Sequence, residues 1–212
     1  MPTPKPLPQL LLMTPTLSAG QDFAPVLREA LDAAPVAALV LRLGGEADER
    51  AVLKALKPLV ALAQEAGAAA LIEGAPDLVG KAGADGLHTA YGESLFDLIP
   101  RFRPERIVGA GGLNSRDDAM TAGDAGVDYV MFGEPDAQGA VLPFGDVLER
   151  LAWWAGLFVT PCVGFAPDLA SVPSVAATGA EFVALSDAVW GHRGGPAAAL
   201  RSIAPALAGS EA

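Results

Sequence analysis

Three stretches of the chain share one pattern: GADGLH from Gly83, GVDYVMFG from Gly126 and GAEFVALS from Gly179. Each sets a glycine, a small apolar residue and an acid ahead of a short apolar run. Glycine suits the left-handed position that closes a helix. The run that follows has strand length and no 3.6-residue period, as a strand buried on both faces requires. GAAALIEG from Gly67 and PVAALVLRLGG from Pro35 are looser relatives of the same unit. The repeated instruction is helix stop, tight turn, buried strand, then a polar or glycine-rich loop.

Filling in between these anchors gives eight units. Strands are predicted near 10–14, 36–43, 68–73, 86–88, 107–109, 129–133, 158–163 and 182–186. Helices are predicted near 23–33, 49–65, 77–82, 94–101, 115–125, 144–155, 168–178 and 196–207. Ser115 or Asn114 can cap the fifth helix, Asp168 the seventh, and Pro196 stands at the first position of the last. Strands alternating with helices call for a parallel sheet. Eight units in about 200 residues call for closure into a single-domain (β/α)8 TIM barrel over 10–208, near the small end of its size range. An open doubly wound sheet is the alternative. Residues 1–9, with four prolines, read as a tail without chemistry.

Composition narrows the function. The chain of 212 residues is 51% hydrophobic and 18% charged, with 24 Gly and 18 Pro, a folded protein with many turns. A net charge of −11 without any Lys/Arg cluster argues against nucleic acid and, more weakly, against anionic membranes. The single Cys162 cannot form an internal disulfide, which fits a reducing compartment. No apolar run reaches the 18 residues of a membrane span, and no secretory signal is legible. The expectation is a soluble, cytoplasmic protein. Self-association into a homo-oligomer would need an apolar outer face. The tandem Trp153 and Trp154 are read instead as packing at the helix–barrel seam.

In a (β/α)8 barrel the ligand meets the loops that follow the strands. The candidates are therefore Arg42 and Glu46 after strand two, Glu73 after strand three and His88 with Glu93 after strand four. Gly133, Glu134, Asp136 and Gln138 follow strand six, and Ser186 follows strand eight. Arg42, inside LVLRLGG, must reach solvent, an acid or an anionic ligand. His88 reads either as a hydrogen-bonded packing residue or as a site residue. Glu73 and Glu93 are candidates for a magnesium pair, since Mg²⁺ takes one or two carboxylates beside substrate phosphates. GAGGLNS after strand five and GHRGGP, with His192 and Arg193, are candidate anion loops. No G-x-S-x-G elbow, zinc ligand set or dinucleotide fingerprint is present.

These motifs resemble the thiamine phosphate synthase family and its thiazole tautomerase relatives over about residues 10–190. LLLMT is similar to the family's first strand, and VLRLG keeps Arg42 while Val40 and Gly44 stand at its Gln and Lys positions. IEGAPDL keeps Asp77 and Leu78, with Glu73, Gly74 and Ala75 where Asn, Asp and Arg belong. GADGLH places His88 on a family position, and AYGESL puts Glu93 or Ser94 at the metal-binding acid. GVDYVMFG carries Gly133, without the T-x-T-K that follows it in the family. VGFAPDL replaces the phosphate-binding A-I-G-G-I, and GAEFVALSDAVW retains Ser186. The resemblance implies a (β/α)8 transferase of thiamine biosynthesis. It would join hydroxymethylpyrimidine diphosphate to thiazole phosphate, release diphosphate and use Mg²⁺. Frame residues survive while most ligand positions are replaced. Two alternatives stay open: a non-catalytic binding or regulatory barrel for a small phosphorylated metabolite, and an isomerase on the same fold with His88 or Glu73 as its acid/base.

Overall fold

The computed structural model describes residues 7–45, 48–136 and 139–208. Glu46, Gln138 and most of the proline-rich tail lie outside the described residues. Eight parallel strands close a barrel in chain order: β1 (Gln9–Met13), β2 (Ala38–Leu41), β3 (Ala69–Glu73), β4 (Gly86–Ala90), β5 (Ile107–Gly111), β6 (Tyr129–Phe132), β7 (Cys162–Phe165) and β8 (Phe182–Leu185), with β8 pairing back to β1. The helices outside are α1 (Ala24–Ala33), α2 (Glu49–Glu65), α3 (Pro76–Ala82), α4 (Glu93–Phe102), α5 (Arg116–Ala125), α6 (Phe144–Leu157), α7 (Val172–Ala177), α8 (Asp187–Trp190) and α9 (Gly195–Leu207). The open sheet is excluded. Among the described residues no helix is long and apolar enough to cross a membrane.

Side-chain alternation along each strand divides the core in two. Leu11, Met13, Val40, Leu71, Met131 and Val163 point inward and fill the barrel. Their neighbours Leu10, Leu12, Leu39, Leu41, Ile72 and Val130 point outward under the helices. This is why the strands read as unbroken apolar runs.

The glycine-acid motif has a structural account on both counts. Gly83 and Gly126 close α3 and α5 at φ 77° and 94°, in the left-handed region. The acid two residues further on then turns back to the preceding strand. Asp85 accepts from Ala70 N–H at 2.8 Å, Asp128 from Val108 N–H at 2.8 Å and Glu181 from Cys162 N–H at 2.9 Å. Each satisfies a donor at the strand's entry, at the barrel end away from the loops that bind ligands.

Several boundaries differ from the sequence reading. The seventh strand begins at Cys162, not at 158. Phe158 ends α6, donates its N–H to the Trp154 carbonyl and stacks on the Trp154 ring at 4.0 Å. Trp154 is buried and its indole N–H donates to Thr160 O at 2.7 Å, so the tandem tryptophans do pack at the seam. The helix expected over 168–178 is a short 3₁₀ turn, Leu169–Ser171, followed by α7. The four-residue α8 was not anticipated. Trp190 holds it by donating to Met13 O at 2.6 Å and meeting Phe23 edge-on. Of the expected caps, Ser115 and Asp168 both form, whereas Pro196 sits second in α9.

Candidate functional site

At the C-terminal mouth of the barrel, Arg42 leaves β2 and ties three strand ends together. Its guanidinium donates to Ser186 Oγ at 3.0 Å and to Thr14 O at 3.4 Å, and its own N–H donates to Thr14 Oγ1 at 3.0 Å. Arg42 Nε also lies 3.2 Å from Glu73 Oε2 at the end of β3. The pairing is ionic without hydrogen-bond alignment, for that buried oxygen accepts no hydrogen bond. Arg42 has therefore met an acid, one of the fates open to a charge in an apolar strand.

His88 anchors a second group. It is 2% exposed, beside Glu73 in the β3–β4 register. Its Nδ1 lies 2.8 Å from the Tyr129 hydroxyl, and its Nε2 lies 3.0 and 3.2 Å from the two oxygens of Glu134. Burial, the largest single influence, disfavours the charged imidazole. The charge and hydrogen bond of Glu134, with Glu73 behind them, outweigh it and raise the His88 pKa above its ordinary value. Both ring nitrogens then donate, Nδ1–H to Tyr129 and Nε2–H to Glu134. Burial and the nearby acids push the Tyr129 phenol well above its usual range, so it stays neutral.

Room for this group comes from β5. A side chain at Gly109 would run into the Tyr129 ring, and one at Gly111 would run into Glu134 and His88. Gly109 and Gly111 of GAGGLNS thus make space for the protein's own residues. The helix that follows begins with a capping box, in which Ser115 and Asp118 satisfy each other's backbone N–H groups.

Arg42, Glu73, His88 and Glu134 share a cavity of about 240 Å³, walled on its apolar sides by Met13 and Phe165. A larger hollow of about 630 Å³ at the opposite end is lined by residues such as Leu10, Val36 and Leu200. It holds no titratable side chain. The small polar cavity sits where this fold binds ligands, and the larger one does not.

Of the predicted site residues, Arg42, Glu73, His88 and Ser186 come together. Gly133 lies behind them at φ 95°, facing Val147 and the Phe165 carbonyl. Glu93 begins α4, is exposed and is not among the cavity walls. Arg193 is exposed, and His192 Nδ1 accepts from Gly194 N–H. Tyr129 is not among the sequence candidates, and Glu134 is there only as one of the four residues after strand six. Their signal was indirect: glycines two apart on β5, both without side chains on one face.

The magnesium implied by the resemblance finds a poor fit. Among the described residues no three His, Cys, Asp or Glu side chains converge to hold a metal. Among the described residues the one buried carboxylate oxygen without a hydrogen bond, Glu73 Oε2, is 3.2 Å from the Arg42 guanidinium, whose charge disfavours a second cation there. The loops after strands seven and eight, which often bind phosphate in this fold, present acids as well. Asp168 fills the start of the 3₁₀ turn, accepting from Ser171 N–H at 2.8 Å and Ser171 Oγ at 2.7 Å. Asp187 opens α8.

Fold and site together define a single-domain (β/α)8 barrel protein with one compact polar pocket at the mouth of its strands. Comparison with known sequences narrows this. The chain belongs to the thiamine monophosphate synthase family, whose model matches residues 10–189. It is 37% identical to a thiamine-phosphate synthase of Rhodospirillum centenum, over 91% of this chain and 94% of that protein. It is 36% identical to one of Hyphomonas neptunium, over 94% and 93% of the two chains. A solved thiamine phosphate pyrophosphorylase from Pyrococcus furiosus superposes with a TM-score of 0.80 over 96% of this chain and 97% of that one, at 21% identity. A 3-hexulose-6-phosphate synthase superposes at 0.68 over 93% and 99%, at 16% identity. At such identities the superpositions speak for the barrel alone.

Proposed function

We propose that this protein is a thiamine-phosphate synthase of thiamine biosynthesis, a transferase acting on small phosphorylated metabolites at the barrel mouth. In the reaction the bond between the pyrimidine methylene carbon and the diphosphate oxygen breaks. The thiazole nitrogen forms the new bond to that carbon, and diphosphate leaves with the electron pair. The observation that carries this reading is that two retained family positions, Arg42 and His88, line one cavity while a third, Ser186, holds Arg42 by a hydrogen bond, in a chain that matches named synthases over nine-tenths of its length. Arg42 is the cation placed to take up charge developing on the leaving group. Its guanidinium has five N–H donors, and those not engaged with Thr14, Ser186 and Glu73 are free for an anion. Magnesium arriving with the diphosphate would supply further neutralisation; among the described residues no cluster of side chains forms a site for it.

Purified protein supplied with hydroxymethylpyrimidine diphosphate, thiazole phosphate and Mg²⁺ should yield thiamine phosphate. Arg42→Gln should lower the rate by about a hundredfold, the usual effect of removing one charge-stabilising donor. Absence of product from well-folded protein rejects the transferase.

The acids at the mouth favour a second reading, a binding or regulatory barrel. Glu73 partly neutralises Arg42, and Asp168 fills the start of the turn after strand seven. This reading expects a raised melting temperature with a thiamine-pathway phosphate and no turnover. If no such ligand shifts the melting curve, it fails.

A further inference from the structure

Of the six large hydrophobic side chains left exposed among the described residues, three stand on one sector of the barrel's outer wall. Met120 on α5 is 39% exposed, Leu157 at the end of α6 is 71% exposed, and Val159 just beyond it is 99% exposed. Trp153 on α6 joins them, partly exposed. The two helices touch at two points. The Arg116 guanidinium lies 4.8 Å over the Trp153 ring, and a side chain at Gly123 would meet the Trp154 ring. Those contacts fix which sides of the helices face each other. On α5, Met120 stands four residues from Arg116 and three from Gly123, which puts it on the side toward α6. On α6, Leu157 stands four residues beyond Trp153, on the side toward α5. Met120, Trp153 and Leu157 thus share one stretch of surface, which Val159 extends past the helix end. A single exposed apolar residue is ordinary, but a run of this kind marks a contact surface.

We propose that this face is the two-fold interface of a homodimer. The charges select the occupant. A chain of net charge −11 repels its own copies over most of its surface, so a second copy fits only where the charges balance. α5 offers such a place, because Arg116 and Asp124, both exposed, stand four residues to either side of Met120. At 3.6 residues per turn the three form one row, each charge about 6 Å along the helix from the methionine. A two-fold axis crossing α5 at Met120 runs the two copies of the helix antiparallel. It sets Arg116 against Asp124 of the partner subunit, and Asp124 against the partner subunit's Arg116. Met120 meets its own copy, and the α6 helices run antiparallel alongside. Such a face is complementary to itself, as a closed dimer requires, whereas a face of one sign would pair only with a different protein. Tryptophan, methionine and arginine are also the residues that interface cores favour. The dimer is independent of the reaction at the mouth.

The test uses the whole protein and sedimentation velocity at rising concentration. Wild type should run as a two-chain particle by about 100 μM, well above the micromolar level at which stable interfaces already form. Met120→Glu sets two carboxylates face to face on the axis and should weaken the dimer at least about a hundredfold. Val141→Asp adds the same charge at an exposed apolar residue outside the face and should leave the dimer unchanged. Arg116→Glu alone should weaken it about tenfold, and Asp124→Arg added to it should restore most of that loss, since the exchanged charges meet again across the axis. All four positions are exposed, so each variant should melt close to wild type. Wild type that stays monomeric throughout overturns the proposal and leaves the face to a different protein. A dimer indifferent to Met120→Glu overturns it by placing the interface elsewhere. So does a dimer that Val141→Asp weakens as much, which would make net charge the cause. A double exchange that dissociates further than Arg116→Glu alone overturns the two-fold pairing.

Discussion

Arg42 and Ser186, 144 residues apart in sequence, meet at 3.0 Å across the seam where the barrel closes. Through Thr14 O at 3.4 Å the same guanidinium reaches the end of β1, which pairs with both β2 and β8. One side chain thus ties barrel closure to the wall of the mouth cavity. Arg42→Met should lower the unfolding free energy by about 1–2 kcal/mol, the range for hydrogen bonds to a charged group discounted for partial exposure. Urea denaturation checks this, and an unchanged midpoint would show that the seam does not depend on Arg42.

The His88–Glu134 contact makes stability depend on pH, in a direction the geometry sets. Folded His88 holds its proton more tightly than the unfolded side chain, whose reference value is 6.5. The stabilisation is therefore complete below that value and fades as pH rises through the higher, folded one. The groups that face the ring are Glu134, Glu73, Arg42 and Tyr129, and Tyr129 does not titrate in this window. Urea midpoints should fall from about pH 6.5 upward in wild type, and His88→Gln should flatten that fall. A wild-type midpoint that climbs over the same range contradicts the charged pair.

Much of the barrel was legible before the structure because its signals are local. A glycine that ends a helix and a short apolar run that follows each show up within about six residues. The strand-end rule then delivered Arg42, Glu73, His88 and Ser186 to one mouth. Long-range reasons were not legible. The acid in GADGLH and GVDYVMFG looked like a turn residue, yet Asp85 and Asp128 bond to strands some 15 and 20 residues earlier. Tyr129 looked like one more apolar strand residue, and only the barrel's curvature turns it toward His88. Gly109 and Gly111 of GAGGLNS leave space without side chains, and Tyr129 and Glu134 take it up.

That arrangement gives two glycine substitutions of opposite sign. At Gly109 a methyl group would collide with the Tyr129 ring, which is stiff and enclosed. Gly109→Ala should destabilise by about 1–3 kcal/mol, as overpacking does, and should weaken the pH dependence by displacing Tyr129 from His88. At Gly80, inside α3, an added methyl meets nothing within 4 Å. Gly80→Ala should stabilise by about 0.5–1 kcal/mol through helix propensity. Thermal melts of the two variants beside wild type should bracket it from either side. Equal melting temperatures would mean that the β5 glycines are not spacers.

The strand-entry acids lead to a prediction independent of the mouth. Val108 is fully buried, and Asp128 accepts its N–H at 2.8 Å from outside the strand pairing. Asp128 also pairs with Arg103 at 3.0 Å, a partly exposed contact that salt weakens. Asp128→Ala removes both, and Asp128→Asn removes only the charge, since its amide oxygen can still accept from Val108. The alanine variant should lose about 1–3 kcal/mol, the penalty for a buried donor left unmet, and most of that loss should persist at high salt. The asparagine variant should recover most of the stability, because the backbone bond and not the ion pair carries it. If instead the two variants are equally destabilised and salt erases the difference from wild type, the acid works through Arg103. The glycine-acid motif would then be an electrostatic feature of the lower surface, not a tie between a turn and the strand before it.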